Sequence, residues 1–300
     1  VAGTSNPFRP EEDSTSLVDR LIQYTQRLMQ GSNRHIVAFS GGVDSSLVLA
    51  LLKQAALSQK DSVEPVLGIS PAVPSEQVDL ARQVSSALGY DLTIVRTDEG
   101  SDETYIANEG KACLACKSNL YQMLSLVLKH RQNDSNYGSL YNGTNADDKL
   151  DPTRLGLIAA QDFQVKSPLQ NVTKSEVRIA ARHLGLPNWN YAASPCLRSR
   201  LALGVHATEQ HLRTIEAAER FVKQQLGELC EETTNLRVRM LAKGRARIEI
   251  DTYLVGVVQQ RLDEWTPKFQ DEWGFSSLHA KEFRSGSVAT TNCEQRIQAA

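Results

Sequence analysis

The sequence predicts an α/β protein: a doubly wound parallel sheet followed by a smaller C-terminal α+β domain. Three observations carry this. Short apolar runs at 35–39, 63–69 and 92–95 alternate with helical patterns at 45–52 and 75–88 over short connections, the order that builds a parallel sheet. The first run ends in a tight turn, Ser40-Gly-Gly-Val-Asp44, that opens a helix. Beyond residue 207 the pattern changes, and a helix at 208–226 leads into two alternating runs, 236–241 and 245–250, that read as paired strands.

Taken in order, residues 1–13 read as a flexible arm, with two prolines and an acidic end. Leu17, Leu21, Ile22, Tyr24 and Leu28 share one side of a helix from 14 that stops at Gly31-Ser-Asn33. Pro71 and Pro74 break the chain before the helix at 75–88, which Gly89 closes. The stretch 97–109 is acidic and irregular. Cys113-Leu-Ala-Cys116 then starts a helix that Leu120, Leu124, Val127 and Leu128 carry to about 130. A strand end and polar turn occupy 140–148, and a helix 155–161. Thr173 and Glu176 form a capping box for the helix at 174–184. The loop at 194–200 shows no hydrophobic periodicity. The sheet domain is expected over 14–203 and the smaller one over 204–283, completed by a helix at 253–265 and a strand at 277–283. Residues 284–300 form a tail with little core-forming content.

Composition narrows the function. At 300 residues and 41% hydrophobic content the chain can bury a large core. A net charge of −2 gives no global nucleic-acid footprint. No apolar run approaches the roughly 20 residues of a membrane span. The first thirteen residues lack the apolar segment of a secretory signal, although a chain beginning at Val1 leaves a removed leader open. Five cysteines, few and odd in number, suit a reducing compartment, so a cytoplasmic location is expected, with an organelle as the alternative.

The glycine turn is where chemistry is expected. A glycine pair lets backbone approach a ligand, and the N–H groups of the following helix start form an anion site. Ser40, Ser45 and Ser46 add hydroxyl donors, so the loop is suited to phosphate. No lysine follows the glycines, which separates it from the G-x-x-x-x-G-K-[ST] loop. It resembles instead the S-G-G-x-D-S loop of the PP-loop ATP pyrophosphatases, of the adenine nucleotide alpha hydrolase-like fold. That resemblance implies ATP held by Ala38, Ser40, Gly41, Gly42, Asp44, Ser45 and Ser46, with Ser70, Gly143 and Thr144 at neighbouring positions, and Mg²⁺ beside Asp44.

The cysteines by themselves leave several readings open. Cys113 and Cys116 form a C-x-x-C at a helix start, and Cys196 lies eighty residues on in Ser-Pro-Cys. A redox dithiol would accompany a thioredoxin-like pattern, which is absent. Structural zinc needs four ligands, and His206 is the nearest fourth. A [4Fe–4S] cluster on three thiolates would leave one iron open. A nucleophilic Cys196 with a structural C-x-x-C is the plainest alternative. Cys230 and Cys293 read as peripheral.

Together, Ser40-Gly-Gly-Val-Asp-Ser-Ser46, Cys113-Leu-Ala-Cys-Lys117, Asn142-Gly-Thr-Asn-Ala-Asp-Asp148, Ser167-Pro-Leu169, Thr173-Lys-Ser-Glu-Val-Arg178, Ser194-Pro-Cys-Leu-Arg-Ser-Arg200, Leu236-Arg-Val-Arg239 and Ala246-Arg-Ile-Glu249 resemble the LarE-type sulfur transferases, over roughly 14–255. The resemblance implies adenylation of a carboxylate of pyridinium-3,5-biscarboxylic acid mononucleotide, then replacement of oxygen by sulfur, on the way to a nickel-pincer cofactor. With all three cysteines the chain resembles the subtype in which Cys113, Cys116 and Cys196 hold a [4Fe–4S] cluster. In the other subtype the Ser-Pro-Cys cysteine gives up its own sulfur. Arg237, Arg239 and Arg200 fall where the substrate phosphate is bound; a solvated basic face is the alternative. Glu219 and Glu249 match acidic family positions near this site and, with Asp44 and Asp148, are the candidate Mg²⁺ ligands. Asp147 and Asp148 are candidates for contact with Mg²⁺ or substrate and also suit a helix cap, and both glutamates suit ion pairs with local arginines. Arg198 and Arg200 flank Cys196 and favour negative charge there. Sulfide or another sulfur donor, a small nucleotide substrate and self-association into a homo-oligomer are further implications. The chain departs from the family pattern at Asp151-Pro-Thr-Arg-Leu-Gly156 and at Met240–Gly244. Competing readings are a [4Fe–4S] PP-loop tRNA thiolase, disfavoured by a mild basic excess and few interleaved aromatics, an ammonia-dependent PP-loop ligase, and an ATP-binding regulatory module.

Overall fold

The structure, a computed structural model, describes residues 14–56, 61–130, 138–150 and 154–284. The arm at 1–13, Cys293, nearly all of the predicted tail and the departure at 151–153 lie outside the described residues.

The first half runs α1 (Ser14–Met29), β1 (Arg34–Ala38), α2 (Val43–Ala55), β2 (Ser62–Ile69), α3 (Ser75–Ala87), β3 (Thr93–Arg96), α4 (Glu103–Ala107), α5 (Ala112–His130), β4 (Gly138–Tyr141), α6 (Ala146–Leu150), α7 (Gly156–Asp162) and α8 (Lys174–His183). Its strands form one sheet in the order β3-β2-β1-β4. All pairs are parallel, with Ile36 opposite Glu64 on one side and Leu140 on the other. Successive residues of a strand point to opposite faces. Thus Val37 joins a core with α1, α2 and α8, while its neighbour Ile36 joins a second core with α5 and α7. Both faces are covered, which is why these strands are apolar runs rather than alternations. Helix α2 lies innermost: Leu47, Val48, Leu49, Leu51 and Leu52 are all 0% exposed, each worth about 1.5–3 kcal/mol of burial.

The second half runs α9 (Glu209–Leu226), β5 (Leu236–Leu241), β6 (Arg245–Ile250), α10 (Thr252–Gln260), α11 (Leu262–Asp271) and β7 (Ser277–Glu282). Strand β6 pairs antiparallel with β5 and parallel with β7. Val238, Met240, Ile248 and Ile250 pack with Ile215 and Val222 of α9 and with Trp265 and Phe269 of α11. Ala72, Tyr105, Ala112 and Leu197 belong to the same core. The second sheet is therefore packed onto the loops at the carboxyl edge of the first.

Three details differ from the sequence prediction. The helix expected at 253–265 is two helices, parted at Arg261, so that Val258 and Trp265 both reach the core. Two five-residue helices, α4 and α6, are too short to show a periodicity. Asp102 fixes the first by accepting from Thr104 N at 2.7 Å and Tyr105 N at 3.1 Å. Helix α2 starts two residues earlier than expected, which puts Asp44 in its first turn rather than in the glycine turn. Among the described residues no helix is long and apolar enough to cross a membrane.

Candidate active site

Strand β1 delivers the glycine turn to the carboxyl edge of the sheet. Gly41 is left-handed, φ +73°, and a Cβ there would lie 2.6 Å from the Ala81 Cα, so both the turn and the packing on α3 require glycine. Gly42 brings no side-chain cap to α2, leaving the helix start to an external anion. The Ser45 and Ser46 hydroxyls both donate to the Gly42 carbonyl at 3.0 Å, and Ser40 N donates to Ser45 Oγ at 3.2 Å. Two residues that sequence reasoning missed brace the turn. Asn188, 1% exposed, donates to the Gly41 carbonyl at 2.7 Å and to Ser46 Oγ at 3.1 Å. Gln77 of α3 donates to the Ser40 carbonyl. The apolar pattern of α3 gave no signal for a buried glutamine.

Asp44 meets the other strand ends. Asn145 Nδ2 donates to Asp44 Oδ1 at 3.1 Å, and Asn145 N donates to Asp148 Oδ2 at 3.2 Å, so Asp44 and Asp148 share one asparagine. Arg154 pairs with Asp148 at 3.0 Å. A Cβ on Gly143 would lie 2.7 Å from the Asp44 Cβ, so only glycine lets this loop close on the turn. The ammonium of Lys174, at the start of α8, sits on the Asp44 carboxylate, and Lys174 N donates to Asp147 Oδ2 at 2.9 Å. A lysine missing from the glycine loop itself thus arrives from a distant helix start. The Thr173–Glu176 capping box fixes that start.

The thiols gather at the same edge. Cys113 and Cys116 occupy the first turns of α5, and Cys196 precedes a 3₁₀ turn at Leu197–Arg200. The Leu197 N–H bond to the Ala72 carbonyl, 2.8 Å, moors that turn just beyond β2. Cys116 donates to Glu99 Oε1 at 3.6 Å, and Ser70 Oγ, at the end of β2, donates to the same oxygen at 2.7 Å. Arg198 donates to Cys113 Sγ and to Asn108 Oδ1, both at 2.8 Å. Of the two flanking arginines, Arg198 keeps its electrostatic hold on Cys196 while directing its hydrogen bonds to Cys113 and Asn108. The expectation is corrected for Arg200, which is drawn into an ion pair with Glu219. Burial, then Glu99 and the other two thiols, pushes the Cys116 thiol up to about 12. Burial also raises Tyr105, whose neighbours are Cys196, Cys116 and Glu99. Lys117 is exposed at the start of α5; desolvation lowers its pKa, but Tyr121 and the three cysteines raise it on balance.

The donor chemistry of this centre suits an iron–sulfur group. Two thiols from the first turns of α5 and one from the loop at 194–200 are near enough to act on one another electrostatically, and thiolates are the soft donors such a group takes. Glu99 Oε2 and the Tyr105 hydroxyl are buried there without a partner among the described residues. Among the described residues no three His, Cys, Asp or Glu side chains are gathered as a metal ion requires.

The arginines lie on the face of the second sheet opposite its core. Arg237 and Arg239 are 6% and 8% exposed, so they are not a solvated basic face. Arg239 Nε bonds Glu249 Oε2 at 2.6 Å, and its NH1 donates to the Ser199 carbonyl at 2.7 Å. Arg237 donates to the carbonyls of Leu236 and Ala193 and stacks on Phe283. Burial, then Arg200, lowers Arg237 to about 10. Arg200, 1% exposed, is bonded to Glu219 at 2.9 Å and to the Pro195 carbonyl at 2.5 Å. The four carboxylates expected at Mg²⁺ are not brought together. Asp44 and Asp148 share the loop edge, whereas Glu219 and Glu249 serve buried arginines, the ion-pair alternative. Five cations (Arg200, Arg237, Arg239, Arg247, Lys281) meet these two glutamates. Cys230 packs at the margin of the second core, and His206 is exposed.

A parallel α/β sheet, with this glycine turn at its carboxyl edge and helices on both faces, defines a protein of the PP-loop nucleotide-binding class. No protein-family model matches the chain. It is 31% identical over 263 residues to pyridinium-3,5-bisthiocarboxylic acid mononucleotide synthase of Lactiplantibacillus plantarum, covering 86% of this chain and 90% of that one. The chain therefore belongs to the LarE family of sulfur-transferring synthases. It is also 34% identical over 265 residues to the uncharacterised protein slr1717 of Synechocystis, covering 85% and 92% of the two chains. A glutamine-hydrolysing GMP synthase of Corynebacterium jeikeium is 25% identical over 241 residues, 73% of this chain and 45% of that enzyme.

Proposed function

We propose that this chain is an ATP-dependent, AMP-forming sulfur transferase acting on pyridinium-3,5-biscarboxylic acid mononucleotide. The observation that carries the reading is the link Ser70–Glu99–Cys116, which joins the ATP edge of the sheet to the thiol centre through two contacts of 2.7 and 3.6 Å. A carboxylate is a poor electrophile because oxide would have to leave. Its oxygen attacks the α-phosphorus of ATP, pyrophosphate departs, and the acyl adenylate then carries AMP as leaving group. The α2 start, the Ser40, Ser45 and Ser46 hydroxyls and Lys174 hold the departing pyrophosphate. Asp44 and Asp148 are the carboxylates that would hold Mg²⁺, whose charge offsets that of the phosphates. Sulfur then displaces AMP at the activated carbon. Cys113, Cys116 and Cys196 would hold the [4Fe–4S] cluster, which would supply sulfide when bound. The excess of buried guanidinium charge around Arg237 and Arg239 favours the substrate phosphate beside the second sheet. In this reading 14–203 activates the carboxylate, 204–283 binds substrate and mediates self-association, and the enzyme works in the cytoplasm.

The test is an anaerobic incubation with ATP, Mg²⁺, sulfide and the biscarboxylate mononucleotide. Pyrophosphate release matched by exchange of one oxygen for sulfur in the product supports the reading. Pyrophosphate without sulfur incorporation, or none at all, removes it. Loss of sulfur from Cys196 itself, seen by mass spectrometry, would replace the cluster route with the sacrificial one. Copurified tRNA that is thiolated on ATP addition would point to a tRNA substrate instead.

A further inference from the structure

We propose that Arg247 of β6 and Lys281 of β7 take the phosphate of the substrate. This deepens the function proposed above and rests on it. Strand register sets the geometry: Arg239 lies opposite Arg247, and Glu249 lies between Arg237 on one side and Lys281 on the other. All five side chains share the face turned away from the core of Ile248, Ile250 and Leu278. Exposure rises across that face, from 10% for the Arg239 side chain to 20% for Arg247 and 41% for Lys281. The β5 half is covered by the loop at 193–200, through the carbonyls of Ala193 and Ser199. The β6–β7 half faces solvent.

The β5 donors are committed. Arg237 gives its terminal nitrogens to the carbonyls of Leu236 and Ala193, and Arg239 serves Glu249 and the Ser199 carbonyl. Arg247 and Lys281, by contrast, face Glu249 Oε1 at 2.8 and 3.5 Å as charges, without a hydrogen bond to it, so donors remain for a ligand. Three cations (Arg239, Arg247, Lys281) around one carboxylate give the group a net charge of plus two. A phosphate monoester carries about −1.5 to −2 at neutral pH, whereas a single carboxylate would balance only half. Glu249, 0% exposed, holds both cations in place before the anion arrives. The neighbouring cover also fits the reaction. Arg239 bonds Ser199, and Arg200 donates to the Cys196 carbonyl at 3.3 Å. A mononucleotide anchored by its phosphate at β6–β7 therefore has the Cys196 loop as its neighbour.

The experiment is titration calorimetry of the full chain with pyridinium-3,5-biscarboxylic acid mononucleotide, its dephosphorylated riboside and a non-hydrolysable ATP analogue. It compares the natural protein with Lys281→Gln, Lys281→Arg and Arg247→Gln, and reads binding apart from catalysis. Lys281→Gln and Arg247→Gln should each weaken the mononucleotide roughly tenfold and leave the riboside and the ATP analogue unchanged. Lys281→Arg, which keeps the charge, should stay within about threefold of the natural affinity. Equal mononucleotide affinities for the natural protein and a folded Lys281→Gln would overturn the assignment and leave the proposed function standing. A loss of the same size for mononucleotide and riboside would do likewise. No binding of the mononucleotide by the natural protein would overturn both. If Arg247→Gln does not fold, Lys281→Gln decides alone, since that side chain lies half in solvent at an edge strand.

Discussion

The Lys174 ammonium rests on the Asp44 carboxylate, joining positions 130 residues apart at the mouth of the glycine turn. An ammonium held there is placed to turn from Asp44 to an incoming phosphate. Lys174→Met should weaken ATP by about 2 kcal/mol, roughly thirtyfold, as expected for losing a charge-assisted hydrogen bond. Equilibrium binding of a non-hydrolysable ATP analogue measures this. An unchanged affinity would make the lysine a local counter-ion and nothing more.

Two glycines should behave in opposite ways. Gly143→Ala puts a methyl 2.7 Å from the Asp44 Cβ and 2.9 Å from its backbone, so the loop must move off the turn. ATP-dependent pyrophosphate release should fall at least roughly tenfold while the protein stays folded. Gly256 is exposed in α10 with nothing within 4 Å of an added Cβ. Gly256→Ala should stabilise by about 1 kcal/mol, raising Tm by about 2 °C in a calorimetric scan.

Acid should loosen the sheet through His35. Its side chain is 0% exposed, with Nδ1 3.1 Å from the Tyr141 hydroxyl. Burial lowers its pKa from 6.5 to about 4, with Asp61 opposing and Lys166 assisting. The unfolded chain therefore takes up a proton first as pH falls. Stability from this group is complete above pH 6.5 and declines toward pH 4, by about 3 kcal/mol in all. His35→Gln should flatten that part of the Tm–pH curve. Identical curves for both proteins would show that His35 does not set the slope.

Glu249 is the counter-charge of the second sheet. It is 0% exposed, 2.6 Å from Arg239, 2.8 Å from Arg247 and 3.5 Å from Lys281. Burial pushes its carboxyl up, but these three cations pull it below the usual range on balance. Glu249→Ala should destabilise by about 3–5 kcal/mol, because buried cations lose their partner. Urea unfolding followed by far-ultraviolet circular dichroism reads this directly. A loss under about 1 kcal/mol would mean that water already reaches the cluster.

Much of the fold was legible because periodicity records burial. The apolar run at β1, buried on both faces, and the alternation of β5 and β6, buried on one, each show in the sequence as the pattern their packing demands. The capping box at Thr173 and the glycine turn were equally plain, since both depend on residues within a few positions of each other. The split of α10 from α11 was not, because the turn at Arg261 answers to a core shared by Val258 and Trp265 rather than to any local breaker.

By itself, then, the sequence determined the α/β class, the phosphate-suited turn and the presence of three thiols. Only the tertiary structure decided that Lys174 stands at that turn, that Arg198 bonds Cys113 rather than Cys196, that the arginines of β5 are buried against Glu249 and backbone carbonyls, and that Glu99 keeps one oxygen free. The physical reason is range. Strand and helix patterns are fixed by neighbours along the chain, whereas these pairings join residues that meet only after the sheet has set which strand ends lie side by side.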